Sequence, residues 1–449
     1  MKGIIAEVKA ISMLAGPVVI AQFAQTANGV VDTMMAGRYS AVDLAGVALG
    51  TSFWIPLYLF LAGVTQALLP LVAQYRGADQ TLRIGPLMQQ GLWLSLVLGV
   101  ISGLLLSSSS KILFYMNIEA ELFPIVEGYL DAMAWGMPAA TLFLCFRNLA
   151  EGMLLPRPVM IFSILGLLLN IPLNYCLING YGPFPAMGGV GCGWATTAVM
   201  WAMAIGLVLY CVIKPIYRET KWFQHWQSFD WLTQRQLLAI GLPIGTALFV
   251  EVSIFSVIAL LIAPLGTEVV AGHQIALSVS SMAFMVPLSM SLVLTARVGH
   301  HLGRRNLPDI KLTIKVGLLL ILGLSLLNSL IMTLFKTPIS GLYTQEHSVI
   351  QLASYLLMFA AAFQLSDGLQ VSANGILRGM KDTKIPMIFT LIAYWLIGLP
   401  CGIVLATHGF NGEPLNAAGY WVGLLIGLTF AAFLLLFRVR SQLAKLSFS

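Results

Sequence analysis

The stretch PVVIAQFAQTANGVVD at residues 17–32 and the stretch PIGTALFVEVSIFSVI at 243–258 hold the same place in two copies of one pattern. Pro17 and Pro243, Ala45-Gly46 and Ala271-Gly272, and Gly77 and Gly303 are each 226 residues apart. Pro158 and Pro386, Pro172 and Pro400, and Gly191 and Gly419 are 228 apart, so the halves align with almost no insertion. In a chain this apolar, a two-copy repeat predicts two equal membrane bundles facing each other across a cleft that moves, which is how carriers are built.

The 449 residues are 58% hydrophobic and 9% charged, with a mean hydropathy of +0.88. That is too little charge to cover a soluble surface, and it predicts an all-α polytopic membrane protein. Apolar runs long enough to cross the bilayer fall at 11–35, 45–74, 87–107, 122–148, 157–179, 189–214, 237–263, 271–296, 311–334, 348–376, 385–407 and 417–438. Each run is continuous instead of alternating, which favours helices over barrel strands. With six spans per copy, the second copy enters the membrane as the first does. The pseudo-two-fold axis then lies along the membrane normal.

Of 24 Lys and Arg, only Arg38, Lys111 and Lys336 fall in odd-numbered connections, leaving 24 − 3 = 21 at the termini, in even-numbered connections or at the span ends that adjoin them. The positive-inside rule puts both ends in the cytoplasm, and the expected location is a bacterial inner membrane. The net charge of +6 is explained by topology and anionic lipid, with no nucleic-acid partner. The expected domains are a six-helix lobe at 1–214, a cytoplasmic linker at 215–236 and a second lobe at 237–449. The stretch from Lys214 to Arg235 carries Trp222 and Trp226 and reads as lying at the membrane surface. Cysteines 145, 176, 192, 211 and 401 lack metal-like spacing and read as small core residues. A cleaved signal peptide is set aside, because the first apolar run is too long and its repeat partner is internal.

Carboxylates inside the spans carry the functional reading. An ionised acid near the bilayer centre costs about 2.5–3.5 kcal/mol on insertion scales, so one that persists usually binds something. Glu251 lies mid-span with no Lys or Arg in its own span. Asp32 ends a polar stripe with Gln25 and Asn28, at i, i+3 and i+7 on one helical face. Asp367 shares a face with Gln364, Gln370 and Asn374, a face that could equally be the wet cytoplasmic end of the span. Asp131 reads as solvated. Asn170 and Asn174 bracket Pro172 and offer neutral oxygens in a locally broken helix. Oxygens with a carboxylate suit an alkali cation, and a carboxylate alone suffices for a proton. His273 reads as a hydrogen-bonded core residue.

Repeat arithmetic places Gln25 opposite Glu251, Ile258 opposite Asp32 and Ala139 opposite Asp367, with Gly398 and Gly402 opposite Asn170 and Asn174. The scaffold is symmetric and the chemistry is not. No GxxxxGK[ST] or strand-linked GxGxxG occurs, so energy is expected from an ion gradient instead of ATP. No other cofactor is expected. The segment AQYRGADQTLRIG after the second span lacks the major-facilitator signature.

These blocks resemble a known family. PVVIAQFAQTANGVVDTMMAG, LLLNIPLNY, GGVGCGWAT, EVSIFSVIALLIAPLG, VVAGHQIAL, GILRGMKDT and YWLIGLP are similar to the NorM branch of the multidrug and toxic compound extrusion family, over roughly residues 10–440. The resemblance implies twelve helices in two six-helix lobes and export of cationic and amphipathic drugs and dyes in exchange for Na+ or H+. It implies cation-site acids at Asp32, Glu251 and Asp367, with neutral ligands at Asn170, Asn174 and Thr196. Where NorM-like sequences commonly read HQIALNFSS, this chain has Ser278 and Val279, a departure that puts a close carry-over of cation or drug contacts there in doubt.

Candidate walls of the drug cavity are Phe53, Trp54, Phe284 and Met285, together with Gln25, Asn28, His273, Gln274 and Ser278. Aromatic, Met and acidic side chains suit large organic cations. The expected chain is a monomer in the lipid bilayer and not an enzyme. A carrier or flippase of one metabolite or lipid-linked substrate is the competing reading, and acidic intramembrane charge argues against it. A channel would need a symmetric filter, which unequal carboxylates do not provide.

Overall fold

The computed structural model describes residues 2–115, 121–182, 185–224, 226–409 and 412–446. Among them run twelve helices long and apolar enough to cross a membrane: α1 (Gly3–Tyr39), α2 (Ala41–Gly77), α3 (Thr81–Ser109), α4 (Phe123–Gly152), α5 (Arg157–Asn179), α6 (Gly189–Ile213), α7 (Trp231–Leu265), α8 (Thr267–Gly303), α9 (Leu307–Leu334), α10 (His347–Gly379), α11 (Lys384–His408) and α12 (Ala417–Lys445). No strand occurs among the described residues. The chain is a multi-pass membrane protein. Every expected span coincides with one helix. Hydropathy sets most ends inward, because helical turns such as Arg438–Lys445 continue past the apolar stretch on charged residues.

By contacts the chain divides into two compact units, Gly16–Gly245 and Met1–Ala15 with Thr246–Ser449. In the first, α4 is central and packs on α2, α3 and α6, while α5 packs on α6. In the second, α10 is central and packs on α8, α9 and α12, while α11 packs on α12. Adding six to each number of the first scheme gives the second. The repeat also recurs in the backbone. Non-glycine residues forced to positive φ end α2 and α8 at Asp79 and Arg305 (305 − 79 = 226), and follow α4 and α10 at Leu154 and Lys381 (381 − 154 = 227). Gly188 and Asn416 precede α6 and α12 in the same way (416 − 188 = 228). The drift from 226 to 228 thus comes in two single-residue steps.

Local chemistry fixes the turns. Ser40 caps α2 by accepting from the amides of Val42 and Asp43 at 3.1 and 3.2 Å. Asp230 caps α7, accepting from the Leu232 and Thr233 amides and the Thr233 hydroxyl. Pro400 cannot donate to the helix ladder, and its ring would meet the carbonyl four residues back. In α11 the residues Ile392–Gly398 accordingly widen to π-turns, and the Leu399 amide reaches back to Tyr394 O.

In the second unit the first turns of α1 are held by Glu7, which accepts from the Arg297 guanidinium and, at 2.6 Å, from the Thr313 hydroxyl. The segment at 215–236 lies within the first unit and is strapped to α3. Gln89 donates to Trp222 O at 2.8 Å and accepts from the Gln227 amide. Gln90 donates to Ser228 O and accepts from the Asp230 amide. Trp222, expected at the membrane surface, is instead buried, with its ring 5.0 Å from Phe146. Trp226 is exposed. All five cysteines are free.

Candidate functional site

The first unit gathers four of the expected residues into one cluster. Pro172 sits between Asn170 and Asn174 inside continuous α5, and both asparagines are fully buried. Their amides converge on Asp32 of α1: Asn170 Nδ2 donates to Asp32 Oδ1 at 3.0 Å and Asn174 Nδ2 to the same oxygen at 2.6 Å. Asn174 also donates to Asn170 Oδ1 at 2.9 Å. From α6, Thr196 Oγ1 donates to Asp32 Oδ2 at 2.7 Å, and the Cys192 thiol to the Asp32 carbonyl at 3.6 Å. Asp32 is 5% exposed, so it is no interfacial aspartate at the mouth of the span. Its nearest donors are neutral. A carboxylate met only by neutral donors keeps its formal charge available for an arriving cation.

The rest of the α1 stripe is also used inside the unit. Gln25 Nε2 donates to Ser163 Oγ at 3.0 Å, and Gln25 Oε1 accepts from Arg147 at 3.4 Å. Among the described residues, Asn28 Oδ1 is buried without a partner, as is Asn174 Oδ1. Such orphaned oxygens are costly unless something fills them.

In the second unit, Tyr394 Oη donates to Glu251 Oε1 at 3.3 Å. The π-turns of α11 supply that hydroxyl. Arg378 at the end of α10 is buried within electrostatic reach of Glu251, and Glu251 within reach of Asp367. The absence of a basic residue in the span of Glu251 therefore did not leave it without a counter-charge. Asp367 is 1% exposed, with Gln364 and Gln370 fully buried beside it, which removes the wet-end alternative. Among the described residues, neither carboxylate oxygen of Asp367 has a hydrogen-bond partner, nor has either amide end of Gln364 or Gln370. His273 corrects another expectation: it is buried edge-on to Trp421 at 5.8 Å, and neither ring nitrogen is hydrogen-bonded among the described residues.

The remaining candidates are less gathered. Trp54 donates to Tyr129 Oη at 3.2 Å and packs edge-on to Tyr58 at 5.5 Å. Phe53, Phe284 and Met285 are half-buried, and Gln274 is exposed. Ser278 spends its hydroxyl on the Gln274 carbonyl of its own helix. Sequence reasoning missed Tyr394, Arg378, Ser163 and the buried pair Arg147–Glu151, whose Nε–Oε1 distance is 2.8 Å. The expected span stopped at residue 148, so Arg147 stood at its very end and Glu151 beyond it. Near α4 and α10 the repeat offset is 227, so Asp367 lies opposite Ala140 (367 − 227) and not Ala139.

Among the described residues, no three His, Cys, Asp or Glu side chains converge. The donors are single carboxylates with amide, hydroxyl and phenol oxygens. That set fits a hard monovalent cation or a proton better than a zinc- or iron-type centre.

The comparisons agree with this architecture. The sequence model of the MatE family matches residues 17–176 and 243–404, two segments whose starts are 226 apart and whose ends are 228 apart. Multidrug resistance protein PmpM of Pseudomonas aeruginosa is 46% identical over 435 residues, covering 97% of this chain and 91% of that protein. Probable multidrug resistance protein NorM of Shewanella oneidensis is 44% identical over 434 residues, covering 97% and 95%. The crystal structure of the eukaryotic MATE transporter AtDTX14 superposes with a TM-score of 0.87 at 20% identity, covering 99% of this chain and 98% of that one. An outward-facing multidrug resistance MATE family transporter of the MOP superfamily gives 0.90 at 19% identity, covering 98% and 96%. With both halves matched and close relatives spanning nearly its whole length, this chain belongs to the MatE family, the multidrug and toxic compound extrusion transporters.

Proposed function

We propose that this chain is a secondary active multidrug efflux transporter that exports cationic and amphipathic drugs and dyes in antiport with Na+ or H+ by alternating access. The observation that carries the reading is the Asp32 cluster, an acid buried in a membrane span and met by Asn170, Asn174 and Thr196. The half-buried acid Glu251 and the buried acid Asp367 of the second unit supply further charge for the coupling ion. The names of the relatives support drugs as the exported class. Asp32, Asn170, Asn174 and Thr196 would hold the ion in the first unit, and Glu251 and Asp367 in the second. Because ion and drug favour different states of the carrier, a gradient of one shifts the population that binds the other. The protein works as a monomer in the bacterial inner membrane, with both termini in the cytoplasm.

The test uses purified protein in liposomes with an ethidium-like dye. A Na+ gradient at constant pH is imposed first, then a pH gradient without Na+. Efflux should follow one gradient, and Asp32→Asn or Glu251→Gln should abolish that dependence. Wild-type efflux in the absence of both gradients refutes antiport, and wild-type gradient dependence in both variants refutes these acids as its site.

A further inference from the structure

The α1–α5 seam is built of two matching rungs. Gln25 of α1 meets Ser163 of α5, and Asp32 of α1 meets Asn170 of α5. The separations are equal, 163 − 25 = 138 and 170 − 32 = 138. Equal separations mean that the two helices run in the same direction without slipping between the rungs. Seven residues on each helix are about two turns, so both rungs lie on one face. Turning α1 by a single residue, about 100°, would break both together.

The first rung is clamped from a third helix. Arg147 of α4 is pinned by Glu151 one turn on, with side chains 9% and 3% exposed. Its Nη1 donates to Gln25 Oε1. An arginine can only donate, so the carbonyl end of Gln25 faces Arg147 and the amide end faces Ser163. The carboxamide is therefore held at both ends, by α4 and by α5.

The second copy uses the same corner in another way. Gln25 is replaced by Glu251 (251 − 226 = 25), Glu151 by Arg378 (378 − 227 = 151) and Arg147 by Asn374 (374 − 227 = 147). There the acid Glu251 sits at the place of Gln25 and the base Arg378 at the place of Glu151. In the first copy the charge is closed within α4, and the residue at the α1 position is neutral. A corner that is an acid site in one copy is a neutral clamp in the other.

We infer that Arg147, held by Glu151, is a positioning residue that locks Gln25 onto Ser163 and thereby sets the register in which α1 presents Asp32 to Asn170, Asn174 and Thr196. The inference rests on the reading of Asp32 as a coupling residue. Partners that orient a cation's ligands typically change affinity by about 10–100-fold when removed.

The test is dye efflux from liposomes containing the full chain, with the half-saturating concentrations of the coupling ion and of the dye measured separately and the melting temperature recorded. Gln25→Met keeps side-chain length and removes both contacts of the first rung, and Arg147→Lys keeps the charge beside Glu151. Each should raise the half-saturating ion concentration about 10-fold, with a smaller change for the dye. Ser163→Ala, which removes one contact only, should move it the same way by less. In an Asp32→Asn background Gln25→Met should add nothing to the ion dependence. If Asp32→Asn itself leaves ion dependence at the wild-type value, the coupling reading fails. If Asp32→Asn alters it while folded Gln25→Met and Ser163→Ala do not, the register lock is overturned. A lowered melting temperature without a shift in ion half-saturation overturns it as well.

Discussion

Replacing Thr196 by Val removes one hydrogen bond while keeping the shape of the side chain. The bond is 2.7 Å long, its acceptor is the carboxylate of Asp32, and the two residues are 8% and 5% exposed. Hydrogen bonds to charged groups contribute about 1.5–3 kcal/mol net. Neutral bonds between membrane helices average only about 0.6 kcal/mol, with a maximum near 1.7, because the unfolded chain in lipid also finds partners. The charge on the acceptor decides which figure applies. Thr196→Val should therefore cost about 1.5–1.7 kcal/mol in the wild-type background, at the overlap of those two ranges. In an Asp32→Asn background it should cost about 0.6 kcal/mol, since the amide oxygen still accepts but carries no charge. The excess, about 1 kcal/mol, is the interaction term of a double-mutant cycle. It can be measured as reversible unfolding of the four proteins in detergent at neutral pH. Repeating the cycle at a pH low enough to protonate the carboxylate should shrink the excess towards zero. An excess below about 0.3–0.5 kcal/mol at neutral pH, within the usual error of additivity, would refute a charge-bearing Asp32 held by Thr196.

A Cβ on Gly423 of α12 would lie 2.5 Å from both the Gly398 carbonyl oxygen and the Gly402 amide nitrogen of α11. These are backbone atoms that cannot rotate away, so Gly423→Ala should cost about 1–3 kcal/mol by overpacking, read as a lower melting temperature; an unchanged one would mean that the helices do not meet there. Thr233, through its hydroxyl first and its amide second, and then the Leu232 amide hold the exposed Asp230 carboxyl below the usual carboxylate range. A group whose pKa is lower in the folded state contributes stability above its unfolded pKa, near 3.9, and loses it as pH falls through the folded value. The stability gap between wild type and Asp230→Ala should stay constant from about pH 7 to 5 and close below about pH 4, whereas a gap that widens on acidification would contradict this cap.

The twelve spans, the repeat and the membrane acids were legible because each is written along the chain. Apolar length marks a span, and a constant offset marks a copy. Partners are not written that way. Tyr394 reaches Glu251 through π-turns that a hydropathy profile does not register. Arg147 and Glu151 straddle the end of the apolar run, where composition alone reads a charged span end and not a buried pair. Trp222 looked like an interfacial anchor because its flanks are basic, yet Gln89 binds its carbonyl and Phe146 covers its ring. His273 looked like a satisfied core residue, since nothing in a sequence reports the absence of a partner. What escaped the sequence is pairing between helices distant along the chain.

The repeat also explains why each copy places its acids differently. In the first copy, the Asp32 cluster needs three side chains on the facing helices, Asn170, Asn174 and Thr196. At the corresponding places the second copy has Gly398, Gly402 and Leu424 (424 − 228 = 196), with Ile258 opposite Asp32. Those glycines face the α11–α12 seam: a Cβ on Gly398 would lie 3.3 Å from Gly423 O and one on Gly402 3.2 Å from Tyr420 Cα, already tight before an amide is added. Ile258 and Leu424 are each 1% exposed in the core beside that seam. Asparagines returned to α11 would therefore press on the backbone of α12, and an acid at position 258 would be buried in a largely apolar cluster. The second copy is left to carry its acids on α7 and α10, at Glu251 and Asp367, where the first copy has Gln25 and Ala140. Restoring the first-copy chemistry by Ile258→Asp alone should then give a protein that fails to fold, and a stable, active Ile258→Asp variant would show that α11 and α12 can separate enough to hydrate it.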